Sequence, residues 1–130
     1  MLQFGHVDSA KNYWEAELTH PTLTEKFSVT LKGTSEGPEP SEELFCRTIL
    51  ADPDKLFLKC RDAFQHEFPT RAKGPFPSDW RKVFVLDGLF VPLHGDANAV
   101  WDICYFVKPA GRYFTAKFES DRVVQVLVDG

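Results

Sequence analysis

The sequence from Lys82 to Asp129 reads KVFVLDGLFVPLHGDANAVWDICYFVKPAGRYFTAKFESDRVVQVLVD. β-Branched and aromatic runs alternate in it with the short polar breaks DG, HGD, PAG and SD. This pattern is typical of strands joined by tight turns, because turn residues interrupt runs that favour an extended backbone. The stretch therefore predicts an antiparallel meander of four or five strands. Asp87-Gly88 leaves two alternatives open, since it fits either a hairpin turn or a bulge within one long strand.

Alternation of side chains divides the predicted meander into two faces, because successive residues of a strand point to opposite sides. One face is expected to carry Trp101, Ile103, Tyr105, Val107, Phe114, Ala116, Phe118, Val124, Val126 and Val128. The other face is expected to carry Cys104, Phe106, Tyr113, Val123 and Leu127. That second face is also largely apolar, so we expect either a covering layer or a contact surface there.

The residues before the meander predict a hairpin and two helices. Residues 14–18 and 26–32 alternate apolar and polar side chains, and the loop between them contains Pro21. Ser41 is the predicted N-cap of the first helix. The apolar face of that helix is expected to hold Leu44, Phe45, Thr48 and Ile49.

The second helix is predicted over residues 53–67, with Asp52 as N-cap and Pro53 at its first position. Its apolar face is expected to pack Leu56, Phe57, Cys60, Ala63 and Phe64 on the sheet. Pro69 is expected to end the helix. The hairpin, the two helices and the meander packed against them make an α+β fold.

Length and composition indicate one globular domain over residues 1–130. The chain is 43% hydrophobic and 26% charged, with twelve Phe and three Trp. Its formal net charge of −4 disfavours nucleic-acid binding, because an acidic surface repels phosphates. No membrane-length apolar run or basic, apolar leader is visible, and the three cysteines form no CxxC pair. A reducing cytoplasm is therefore the expected location.

No catalytic motif, cofactor site or metal site is predicted. His94-Gly95-Asp96 is a lone His–acid turn, whereas zinc needs three or four converging ligands, so we expect Asp96 to cap backbone amides. Asp102 leaves two hypotheses open. It could be a general base in a cone-like apolar pocket, or it could lie on the wet face and pair across the sheet with a residue such as Lys117.

Residues 83–107 and 111–130, VFVLDGLFVPLHGDANAVWDICYFV and GRYFTAKFESDRVVQVLVDG, resemble the C-terminal half of small bacterial domains found among polymorphic-toxin immunity proteins. The resemblance rests on the hydrophobic strand pattern and covers about the last 50 residues. It implies a stand-alone cytosolic α+β protein that binds and blocks a cognate toxin. It assigns no functional residue, because these families share no binding motif.

The leading functional hypothesis is therefore a non-enzymatic protein-binding module, most simply a toxin-neutralising immunity protein whose partner is basic. The candidate binding patch consists of aromatic Trp80, Phe90 and Phe106, ringed by acidic Asp79, Asp87 and Asp96. Two alternatives stay open. One is a small enzyme or ligand-binding protein that uses Asp102, and the other is a homo-oligomer that pairs through the second sheet face.

Overall fold

The computed structural model describes residues 5–8, 13–34 and 36–130. Ser35 lies outside the described residues. The strands are β1 (Gly5–Asp8), β2 (Tyr13–Leu18), β3 (Phe27–Leu31), β4 (Phe84–Phe90), β5 (Val100–Val107), β6 (Arg112–Glu119) and β7 (Arg122–Asp129). The helices are α1 (Pro40–Leu50) and α2 (Pro53–Arg71), with short 3₁₀ turns at Trp80–Lys82 and Leu93–Gly95.

All seven strands form one sheet in chain order. Neighbouring strands are antiparallel except β3 and β4, which are parallel and are connected by α1 and α2. The α+β prediction is confirmed, with the β2–β3 hairpin, two helices and a four-stranded β4–β7 meander. The sequence did not predict the parallel β3–β4 pair, which joins hairpin and meander into one sheet, because it links segments far apart in the chain.

Helix α1 begins one residue before the predicted cap. Glu39 is the N-cap and Pro40 the first helical residue, and the Glu39 amide donates to Oε1 of Glu42 at 3.0 Å. This back-bond is half of a capping box, and it draws the Glu42 side chain inward until it is fully buried. Leu44 is 59% exposed, so its predicted place on the buried face is wrong. The helix instead buries Phe45, Cys46 and Leu50.

Helix α2 starts as predicted, because the Lys55 amide donates to Oδ1 of Asp52 at 3.2 Å. It buries Leu56, Phe57, Cys60 and Phe64, which confirms the predicted packing face. The helix passes through Pro69 and ends at Arg71, so the predicted end at Pro69 is wrong. Phe68 explains the extra turn, since its buried side chain holds that turn against the core.

The hydrophobic core lies between the helices and one side of the sheet, called here the core face. Phe64 of α2 stacks on Phe84 of β4 at 5.5 Å between ring centroids and meets Phe114 of β6 edge-on at 5.7 Å. Phe57 of α2 meets Tyr105 of β5 edge-on at 5.6 Å. The buried residues of α1 and α2 belong to one cluster with the core-face residues of the strands, so both helices lie on the same side of the sheet.

Two bulges set the faces of the meander strands. In β4, Leu86 pairs with Tyr105 and Gly88 with Cys104, so Asp87-Gly88 is a bulge in one strand rather than a hairpin turn. The second bulge, at Val124 in β7, lies between the pairs Lys117–Gln125 and Phe118–Val123.

The β7 bulge changes which side chains face the core. Because Phe118 faces the core, its partner Val123 does too, together with Val126 and Val128. The predictions that Val124 shares the face of Val126 and Val128, and that Val123 lies on the opposite face, are therefore wrong. Leu127 keeps its predicted place on that opposite face.

Candidate interaction surface

The side of the sheet away from the helices, called here the outer face, carries three cross-strand rows of side chains over β4–β7. The first row is Phe90–Asp102–Lys117–Gln125. The second is Gly88–Cys104–Thr115–Leu127, and the third is Val85–Phe106–Tyr113–Asp129. No helix of the described chain lies over these rows, so the second face predicted from alternation is an open surface.

Aromatic rings give the outer face its apolar character. Phe90 is 45% exposed, and a Cβ placed on Gly88 would lie 3.8 Å from Cε2 of its ring. The ring therefore lies close to the backbone of the β4 bulge. Phe106 and Tyr113 are half-buried and meet at 5.1 Å between centroids. Leu127 is 42% exposed at the far end of the second row. Together these side chains form a partly exposed apolar strip.

Carboxylates surround Cys104 in the middle of this strip. Burial raises the pKa of the Cys104 thiol, and the charges of Asp87, Asp129 and Asp102 raise it further, against an opposing hydrogen bond from Thr115. The same directions show that three acids lie close enough to act on the centre of the outer face. The centre is therefore unsuited to a thiolate nucleophile.

Asp102 lies on the outer face between Phe90 and Lys117, as the cross-strand pairing hypothesis predicts. Its Oδ1 is buried without a hydrogen-bond partner among the described residues. Burial raises the pKa of its carboxyl, and the charge of Lys117 acts in the opposite direction. This position, on the side of the sheet away from the aromatic core, differs from the closed apolar pocket that the general-base hypothesis requires.

The structure divides the six residues of the candidate patch among different places. Phe90 and Phe106 lie on the outer face, and Asp87, at the β4 bulge, lines a hollow there with Phe106 and Tyr113. Trp80 lies on the core face, where its indole stacks on Phe57 at 4.8 Å between centroids and donates to Oδ1 of Asp54 at 2.7 Å. The sequence could not reveal this contact, because it depends on the packing of the 3₁₀ turn against α2.

The two remaining acids cap turns. Asp79 accepts from the Arg81 amide at 3.2 Å, next to Trp80. Asp96 accepts from the Asn98 amide at 2.9 Å, which confirms the capping role expected for it. The acids that act on the centre of the outer-face strip are Asp87, Asp129 and Asp102.

A polar cluster joins the turn that contains His94 to the start of α1. Nδ1 of His94 lies 2.7 Å from Oε2 of Glu39, and Glu39 raises the pKa of the imidazole through this hydrogen bond and its charge. Glu42 is completely buried beside them, and desolvation raises its carboxyl pKa. The three-residue spacing of Glu39 and Glu42 was the available sequence signal, but Ser41 is the commoner cap type.

Within residues 5–8, 13–34 and 36–130, no group of three or more His, Cys, Asp or Glu side chains is placed to hold a metal ion. None of the helices in that part of the chain is both long and apolar enough to span a bilayer. The sequence matches no protein-family model or curated protein, and the fold matches no solved structure.

Proposed function

We propose that this chain is a non-enzymatic protein-binding module that receives its partner on the outer face. The observation that carries the proposal is the partly exposed strip of Phe90, Phe106, Tyr113 and Leu127, which no helix of the described chain covers. Exposed aromatic side chains at the centre of a surface are typical of binding hot spots. The helices bury the core face, so this strip is not part of the hydrophobic core of the monomer.

The charge of the strip supports a basic partner. Asp87, Asp102 and Asp129 lie around Cys104, and Lys117 is the basic member of the three rows. The net charge of the chain, −4, has the same sign. Opposite fields speed the encounter of two proteins and disfavour partners of the wrong charge. A lysine- or arginine-rich protein surface therefore fits the outer face.

We propose further that the partner is a toxin domain and that the chain is its immunity protein. The support is the resemblance of residues 83–107 and 111–130 to immunity-type domains, together with the acidic, aromatic outer face. An inhibitor of this kind needs no catalytic residue, because it acts by covering its partner. A small enzyme with Asp102 as general base is the second candidate, favoured by the buried Oδ1 of that carboxyl, which has no hydrogen-bond partner among the described residues, and by its raised pKa.

Affinity capture from the native cell tests the outer face. Immobilised wild-type protein should retain one basic partner, and Phe90→Ala or Phe106→Ala should weaken binding by about 2 kcal/mol or more if the ring is a hot spot. Leu58→Ala is the matched control, since Leu58 is 61% exposed on α2, on the other side of the sheet. Equal retention of the partner by all three variants would place the interface elsewhere.

Co-expression tests the immunity role. Growth should be rescued from the captured partner by the wild type and by Leu58→Ala, and less well by Phe106→Ala. A captured partner that is not toxic, or a toxin whose effect the wild type does not relieve, would exclude immunity while leaving the binding result intact. Asp102→Asn distinguishes the enzyme hypothesis from the binding module. The amide keeps the shape of the side chain but cannot accept a proton as a base.

A further inference from the structure

Strand β7 is an open edge of the sheet. It is last in the strand order and pairs with β6 on one side, and no described residue pairs with its other side. Between Arg122 and Asp129 the strand reads VVQVLV, with no charge and no proline. Native edges are usually protected by lysine, proline or a cover, since free amides and carbonyls invite another strand. β7 contains neither lysine nor proline.

A groove follows this edge on the core-face side. It has a volume of about 280 Å³ and is lined by Ala63, His66 and Glu67 of α2 and by residues 123–126. Val124, at the bulge, is 45% exposed beside it. An additional strand along β7 would therefore find main-chain partners at the edge and room for its side chains next to α2. Strand addition beside a helix is a recurrent mode of protein recognition.

The bulge gives β7 an unusual self-complementarity. In a regular eight-residue strand the first and last side chains point to opposite faces. The extra residue at Val124 removes this difference, so Arg122, paired with Glu119, and Asp129, paired with Tyr113, both lie on the outer face. Two antiparallel copies of β7 can thus bring an arginine and an aspartate together on the same face at each end.

We propose that β7 pairs antiparallel with β7 of a second copy of this chain, about a two-fold axis at Val126. The axis places Val126 opposite itself on the core face and Gln125 opposite Leu127 on the outer face. Beyond them, Val123 meets Val128 and Arg122 meets Asp129 of the second copy, with Val124 left at its bulge. Every pair in this register joins side chains of the same face.

Charge complementarity favours a second copy of the chain as the partner of this edge strand. Arg122 and Asp129 are exposed, and neither forms an ion pair within the described part of the chain. The two-fold axis gives each of them an opposite charge, at both ends of the paired strands. Pairing also removes the unprotected edge from both molecules. The proposal goes beyond partner binding on the outer face, because it concerns a different surface.

Sedimentation analysis over a concentration series tests the pairing. The wild type should dimerise, and Arg122→Glu should raise the dissociation constant about tenfold or more, because a dimer contains two such contacts and each changes from attraction to repulsion. The double variant Arg122→Glu with Asp129→Arg should restore dimerisation. Lys73→Glu, an equal charge change in the exposed loop after α2, is the control and should leave the constant unchanged.

Cross-linking tests the position of the axis. Val126→Cys should form a disulfide-linked dimer under mild oxidation, since the two Cβ atoms face each other there, whereas Thr24→Cys in the β2–β3 loop should not. The native cysteines are buried and should contribute little. A monomer at every soluble concentration, a dimer insensitive to Arg122→Glu, or equal cross-linking of both variants would each overturn the proposal. A monomer that takes up an extended peptide along β7 would also overturn it.

Discussion

Gly95 and Gly111 provide a matched test of how the turn before β5 is fixed to α1. Both have a left-handed backbone, with φ of +64° and +61°. A Cβ on Gly95 would lie 2.2 Å from the Ser41 carbonyl oxygen and 3.1 Å from the Glu42 nitrogen. A Cβ on Gly111 would meet nothing within 4 Å. Alanine at the two positions therefore has the same backbone cost but a very different contact.

The two substitutions should differ by the cost of that contact. The left-handed conformation costs alanine about 1–2 kcal/mol, and the less flexible unfolded chain returns about 0.4–1 kcal/mol. Gly111→Ala should thus lower the free energy of unfolding by about 1 kcal/mol. Gly95→Ala adds overpacking of about 1–3 kcal/mol, because the obstructing atoms belong to the α1 backbone and cannot rotate away. Its total loss should be about 2–4 kcal/mol.

Equilibrium urea unfolding measures both losses if the two variants unfold with similar m-values. The imidazole pKa of His94 should report the same contact. Displacement of the turn moves His94 away from Glu39, so this pKa should move back toward its ordinary value. Losses that agree within about 0.5 kcal/mol, the usual scatter for an innocuous change, would refute the packing of this turn against α1.

Three further outcomes are expected. Leu56→Ala should lower the free energy of unfolding by about 2–5 kcal/mol, because Leu56 is 3% exposed. Urea titration of Leu58→Ala on the same helix should show a change within about 0.5 kcal/mol. Similar losses for the two variants would contradict the assigned helix face. Stability should fall as pH rises from near 4.5 to above 6.5, because the pKa values of Glu42 and His94 are raised above those ordinary values and the folded state therefore binds more protons than the unfolded chain. Denaturation midpoints across a pH series check this, with a flatter profile expected for the Glu39→Gln, Glu42→Gln double variant; the series should stay above pH 3.8, since the lowered pKa of Asp54 acts in the opposite direction below that value. Cys104 should react with a thiol reagent more slowly in the folded protein than after unfolding, since its folded-state pKa is raised, and equal rates would show that the outer face does not shield it.

Local patterns were sufficient to predict much of this fold. Asp52 and Pro53 predicted the start of α2, and its periodicity predicted the buried Leu56 and Phe64. The alternation of β5 and β6 placed Phe106 and Tyr113 on a second face, which is the outer face of the structure. These signals are local, because a cap or an alternating strand depends mainly on nearby residues.

The missed features depend on contacts between distant segments. The β3–β4 pair, Trp80 stacking on Phe57 and the burial of Glu42 each need two elements to be in place. The bulge at Val124 was missed for another reason. Val123 and Val124 are identical apolar residues in succession, so the sequence does not show which of the two is skipped without the partner strand.

Asp129 connects the two surfaces that have been proposed for this protein. It ends the Phe106–Tyr113 row, where its charge acts on Cys104, and it also faces Arg122 of a second copy in the two-fold register. Pairing of β7 would place Gln125 of one copy beside Leu127 of the other, so the two outer faces would become one continuous surface. Loss of Asp129 should therefore weaken both partner capture and dimerisation. Phe106→Ala should weaken partner capture alone. Arg122→Glu should act mainly on dimerisation. The two surfaces are therefore separable by experiment.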